Sequence, residues 1–272
     1  MKNNNILALK KNNQIHITSI IDDSAIIEDG VEIGPYSIIG KNVFIGKNTK
    51  IASHVLIDKY TTIGENCKIY TGAILGSDSQ DLKAEQGENF LIIGDNNTIR
   101  EYVTINRASK INDKTIIGNN NNFLSYAHVA HDSIIGDNNI FSNSVNVGGH
   151  CIFENNIIVG GLTGIHQFVK VGSYSMIGGM SRITQDVPPF FVAVGNPVKV
   201  ETVNITGLKR HNFPLEKIIL LKKAWHIIYK SNLTLSSAIK ELEKLDSDEI
   251  LYLIKFLKDS SKRGISGLFM NL

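Results

Sequence analysis

Every sixth residue is aliphatic along most of this chain, and very few folds satisfy that period. Steps of six from Ile15 pass through Ile21, Ile27, Ile33 and so on to Leu75, then from Ile93 through Val129, Val147 and Ile165 to Ile183. Of 29 such positions, 27 carry Ile, Leu, Val or Phe, and only Asp81 and Gly87 break the series. The period matches neither the 3.6 of a helix nor the alternation of a long strand. It matches a short strand and a corner per hexapeptide, with the aliphatic side chain inward. Three such strands close a triangular coil of 18 residues, and stacked coils pair as parallel strands ~4.8 Å apart. The expected fold is therefore a parallel β-helix. Periodicity leaves its hand open, and general crossover statistics favour right-handed.

Gly follows the aliphatic at Gly34, Gly40, Gly46, Gly64, Gly118, Gly136, Gly160, Gly172 and Gly178. Four residues after it stand small side chains such as Ser37, Thr49, Cys67, Ala73, Ser133 and Thr163. We expect the small residues to face inward and Gly or Asn to supply unusual corner dihedrals. Residues 77–90 are polar and lose both core positions, so they loop out. Residues 107–115 are polar too, although Ile111 keeps the register. Loops on a rigid scaffold commonly carry function.

The pattern ends at Val187-Pro188-Pro189, because proline cannot donate to a strand ladder. The expected organisation is a polar tail over 1–14, the prism over 15–190, and a linker with a small α-helical domain over 191–272. Helical spacing predicts helices over 214–230, 235–245 and 248–262, with Thr234 and Ser247 as N-caps. Residues 207–263 carry 12 basic and 7 acidic side chains, a charge of +5 against +2 for the whole chain. A basic helical end suits an acidic partner as well as ordinary solvation.

With 28 Lys+Arg against 26 Asp+Glu, the chain is no nucleic-acid binder defined by bulk charge. Two cysteines, Cys67 and Cys151, cannot build a disulfide framework or a zinc ribbon. No apolar run reaches the ~18 residues of a membrane span, and the polar opening lacks a signal-peptide core. A soluble, cytoplasmic protein with no membrane span is expected.

Candidates for chemistry are four trunk histidines, His128, His131, His150 and His166. Using one coil as a map, Gly149 lies over His131, Asp132 under His150, His128 under Asn146, and His166 over Gly148. His131 is two residues past Val129, at a corner, which favours a site enclosed between subunits. Three readings compete: a general base, a metal site as in γ-class carbonic anhydrases, or corner histidines that only bond backbone. Clustering beside Gly148-Gly149 favours catalysis without separating base from ligand.

In order and with similar spacing, Gln80-Asp81-Leu82-Lys83, Ala127-His128-Val129-Ala130-His131-Asp132, His166-Gln167-Phe168, Gln185-Asp186-Val187-Pro188-Pro189 and Gly207-Leu208-Lys209-Arg210 resemble the UDP-N-acetylglucosamine acyltransferases of lipid A biosynthesis. That resemblance implies a left-handed β-helix, a helical C-terminal domain and a homotrimer with sites between subunits. It implies transfer of a 3-hydroxyacyl chain from acyl carrier protein, where phosphopantetheine carries it, to the 3-position of UDP-N-acetylglucosamine, with no metal or other cofactor. By motif, His131 is the general base and the Gly149 N–H holds the oxyanion. Asp81, Lys83, His128, His150, Gln167, Asn204 and Arg210 bind the nucleotide sugar, Gln80 shares their loop, and His166 lines the site. Gly179, flanked by Met180, lies along the acyl groove. The chain departs from a familiar form of the pattern at Asn106, Pro197, Thr206 and His211, where relatives often carry His, His, an acidic residue and Arg.

Overall fold

The computed structural model describes residues 13–268. Most of the tail expected at 1–14 therefore lies outside the described residues. From Gln14 to Ile183 the chain coils as a left-handed parallel β-helix whose strands fall into three sheets of nine, nine and eight strands. Almost every strand is two residues long and ends on the aliphatic position. From Ile33 on, these side chains form the buried core, except Ile111. Inward small residues pack between them: Ser37, Thr49, Thr61, Cys67, Ala73, Ser133, Thr163 and Ser175 are all fully buried. Burial also pushes the Cys67 and Cys151 thiols up to about 11 and about 12, so neither is a thiolate near neutrality.

The corners correct one expectation. Left-handed φ falls three residues after the aliphatic, at Asn42, Asn48, Asn66, Asn96, Asn120, Asn138 and Asn156, but also at Tyr36, Tyr126, Asp132, His150 and Phe168. Apart from Gly76 (φ 78°) after Leu75, glycines directly after the aliphatic do not adopt it. They serve close approach between coils: a Cβ on Gly136 would lie 2.5 Å from the carbonyl oxygen of Glu154.

Asn97, Asn121 and Asn139 occupy small-residue positions and are fully buried. Each side-chain oxygen accepts a backbone N–H at 2.8 Å, from Asn121, Asn139 and Ile157 in turn. Their amides donate to the carbonyls of Gly118, Gly136 and Glu154 at 2.8–2.9 Å, so the buried polar stack leaves no unmade hydrogen bond there. Beside it, Phe141 is sandwiched between Phe123 (ring centroids 4.9 Å, stacked) and Phe153 (5.2 Å, edge-on). Phe141→Ala should therefore destabilise the prism by about 3–5 kcal/mol, read as a lowered denaturant midpoint.

Two insertions interrupt the coil. Aligned core residues Ile69 and Ile99 are 30 apart, and Ile105 and Val129 are 24 apart, instead of 18. Both excesses are multiples of six, so the spacing resumes in phase on the far side. Ile111, in register by count, is 46% exposed on the second loop and stands outside the core.

Past the prolines, the stretch expected to be a linker forms an antiparallel hairpin, Phe191–Val194 with Lys199–Val203, which extends the first sheet. Four helices follow: α1 (Ile205–Arg210), α2 (Leu215–Tyr229), α3 (Leu235–Leu242) and α4 (Asp248–Lys258). Helix α1 was not expected. It is short and starts on Asn204, whose side chain accepts from the Gly207 N–H. Thr234 caps α3 through its hydroxyl, whereas Ser247 makes no side-chain cap to α4. No helix among the described residues is long and apolar enough to cross a membrane.

Candidate active site

His131 stands at the corner between strands His128–Val129 and Ile134–Ile135, where the second sheet turns into the third. Its side chain is 10% exposed. Nδ1 lies 2.7 Å from Asp132 Oδ2. Asp132 also accepts the Ser109 N–H at 3.0 Å and the Ser109 hydroxyl at 2.6 Å. Burial works to raise the Asp132 carboxyl, but hydrogen bonds from Ser109 and His131 outweigh it and hold the group below the usual carboxylate range. An ionised Asp132 can only accept, so Nδ1 donates to it, and in the neutral ring the lone pair is on Nε2. That is the tautomer a general base needs.

Gly149 is stacked on this ring as the coil map predicts. A Cβ there would lie 2.7 Å from both Cε1 and Nε2 of His131. The Gly149 N–H makes no hydrogen bond within the described chain. His128 sits one strand position away, its Nδ1 2.7 Å from the Thr104 hydroxyl. Burial, and then the neighbouring His131, lower its pKa, so it is neutral near pH 7.

His128 and His131 border an open cleft of about 790 Å³ on the second sheet, in whose wall Gly148 stands but Gly149 does not. Among its lining residues are Gln80, Asp81 and Lys83 from the first loop, with His128, His131, His166 and Gln167 from the coils. Arg182 and Asn146, which the sequence reading did not single out, line it as well. They were legible in principle, because they share the outward column of His128. His150 faces away from the cleft: its ring stacks on Phe168 at 4.7 Å and meets His131 edge-on at 5.2 Å.

Asn204, Arg210, Gly179 and Met180 do not line this cleft. Asn204 donates to the Tyr174 carbonyl at 2.8 Å, which puts α1 over the corner joining the third sheet to the first. Gly179 and Met180 lie on the remaining corner, between first and second sheets, with Met180 75% exposed. Asn106 is also absent from the cleft wall; its amide donates to the Asp78 carbonyl at 2.8 Å.

The family described as Udp N-acetylglucosamine O-acyltransferase, domain 2, matches residues 186–266, and the GMPPB C-terminal domain matches 15–124. An acyl-[acyl-carrier-protein]--UDP-N-acetylglucosamine O-acyltransferase of Paraburkholderia phymatum is 41% identical over 259 residues, covering 93% of this chain and 98% of that protein. The chain belongs to the UDP-N-acetylglucosamine O-acyltransferase family. A second member, from Gloeothece citriformis, is 45% identical over 74% of this chain and 73% of its own length. The crystal structure of UDP-N-acetylglucosamine O-acyltransferase from Moraxella catarrhalis superposes with a TM-score of 0.89 at 42% identity, covering 93% of this chain and 99% of that one. With Asp132 on its Nδ1 and Gly149 one coil above it, His131 presents a ring nitrogen that can accept a proton.

Proposed function

We propose that this acyltransferase moves a 3-hydroxyacyl group from acyl carrier protein to the 3-position of UDP-N-acetylglucosamine, as a step of lipid A biosynthesis, with His131 as general base. The observation that carries this reading is the free Nε2 of His131 at the cleft wall, its opposite nitrogen engaged by Asp132. Nε2 takes the proton of the sugar hydroxyl as its oxygen attacks the thioester carbonyl. The Gly149 N–H stabilises the resulting oxyanion, a donor whose loss costs about 3–4 kcal/mol in related sites. When the intermediate collapses, protonated His131 returns its proton to the leaving thiolate. Lys83 offers charge to a phosphate, while Gln80, Asp81, His128, His166 and Gln167 contact the nucleotide sugar.

Asn204 and Arg210 occupy a different corner from His131, so they reach one nucleotide together with it only if a second copy supplies them. Exposed Ile20, Ile38 and Ile74 on the second face, and Ile26, Ile134 and Ile152 on the third, are spread along the two faces that meet at the edge carrying His131, and support burial of that edge against another prism. We therefore read the protein as a cytoplasmic homotrimer whose basic helical end receives the acidic carrier protein. A γ-carbonic-anhydrase-like site is not favoured, although His131, Asp132 and His150 offer ligand atoms within 4.8 Å of one another. The acyltransferase similarity spans nearly the whole chain.

The test is turnover of UDP-N-acetylglucosamine and its 3-amino analogue with 3-hydroxyacyl carrier proteins of graded length, alongside metal analysis. No transfer from any donor, or activity that requires stoichiometric zinc, overturns the reading. Gly179 sets chain length in the same assay. A Cβ there would meet backbone alone, the Gly161 carbonyl oxygen at 3.2 Å and the Gly161 nitrogen at 3.7 Å, with no side chain among its nearest neighbours. Each buried CH₂ contributes ~0.8 kcal/mol, so each two-carbon step changes preference about tenfold. Gly179→Met should shift the preferred donor about four carbons shorter on that scale; an unchanged length profile would remove position 179 from this role.

A further inference from the structure

The two loops that interrupt the prism are tied to each other, and to His131, by side chains that never touch the cleft. Arg107, 2% exposed, sends its guanidinium to the Asp58 carboxylate at 3.0 Å, to the Gly76 carbonyl and to the Asp78 carboxylate. Its own N–H donates to the Ser77 carbonyl at 3.0 Å. Asp78 is the stem of the loop that brings Gln80, Asp81 and Lys83 into the cleft. Two residues on from Arg107, Ser109 is 4% exposed and gives both its N–H and its hydroxyl to Asp132, the carboxylate that holds His131 Nδ1. Its carbonyl accepts the Glu85 N–H at 2.7 Å, back on the first loop. Each terminal nitrogen of the buried guanidinium takes one carboxylate, so the planar group fixes the spacing of Asp58 and Asp78.

We propose that residues 107–109 form a positioning strap, in which Arg107 clamps the stem of the nucleotide-binding loop and Ser109 holds Asp132, and through it His131, at a fixed spacing from that loop. The inference rests on the acyl-transfer reading above. Arg107 and Ser109 are positioning residues, and they act on different kinetic parameters. Loosening the loop weakens nucleotide binding; loosening Asp132 misaims the base, and an error of about an ångström costs up to 10²-fold in rate.

The test compares Ser109→Ala, Ser109→Thr and Arg107→Lys in the full-length enzyme, measuring kcat and KM for UDP-N-acetylglucosamine with a 3-hydroxyacyl carrier protein. Ser109→Ala should lower kcat about tenfold with KM within about twofold, and Ser109→Thr should recover most of that loss. Arg107→Lys should raise KM at least about tenfold while kcat falls less than about threefold. Should that variant fold poorly, Asp78→Asn, on the more exposed side of the clamp, should raise KM in the same direction. Equal effects on kcat and KM from both ends, or an unchanged kcat in Ser109→Ala, overturn the strap while the activity stands. An inactive wild type overturns the activity itself and the strap with it.

Discussion

Replacing His131 by alanine should lower kcat by about 10²–10⁴-fold, the usual contribution of a general base, and leave the prism folded. The side chain lies at a corner, outside the aliphatic core and outside the strand ladder, so its loss removes neither packing nor backbone pairing. What remains is an Asp132 carboxylate still holding two donors from Ser109 and lying 3.5 Å from His150 Nε2. No uncompensated buried charge is therefore created, and circular dichroism and the unfolding midpoint should stay close to wild type. Retention of more than about a tenth of kcat would be too much for a variant lacking its base. The role would then pass to His128, already neutral near pH 7 and 2.7 Å from the Thr104 hydroxyl.

The trunk was readable from the sequence because each hexapeptide solves the same packing problem. Ile33 to Ile183 are inward for one reason, and one coil of stacking is enough to put Gly149 on His131. What escaped that reading shares a different cause. The insertions add whole hexapeptides, so counting keeps Ile111 in phase although it is exposed, and hides that Ser109 comes back to Asp132. Arg107 looks like part of a solvated loop, since no periodicity announces a cation that folds inward onto Asp58 and Asp78. Asn97, Asn121 and Asn139 are core residues by position and polar by composition, and only their mutual bonding resolves the conflict. At the C-terminal end, α1 is a single short helix without a hydrophobic stripe, and the 191–203 hairpin carries Gly195-Asn196-Pro197, which reads equally as a linker. Within the site, the split is topological. Residues on the His131 corner could be mapped by register and the first loop only by its resemblance to the family, but Asn204 and Arg210 stand on another corner that only the fold reveals.

Gly149→Ala should cost about 10²-fold in kcat, an effect out of proportion to a single methyl group and typical of a base displaced by about an ångström. Gly149 does not adopt left-handed φ, so alanine fits its backbone without strain. The methyl group would instead collide with His131, at 2.7 Å from Cε1 and Nε2 and 3.2 Å from Nδ1. The ring has little room to retreat, with Asp132 bonded to one side and the His150 ring 5.2 Å away. It must tilt, lengthening the Nδ1 bond and turning Nε2 away from the sugar hydroxyl. The Gly149 N–H survives the substitution, so the oxyanion donor is kept and the loss is attributable to the base. KM for the nucleotide should change little, because the Gln80–Lys83 loop is untouched. The decisive comparison is the double variant. Both substitutions act through one imidazole, so His131→Ala combined with Gly149→Ala should be no slower than His131→Ala alone. Additive losses would mean that Gly149 contributes through something other than the position of that ring.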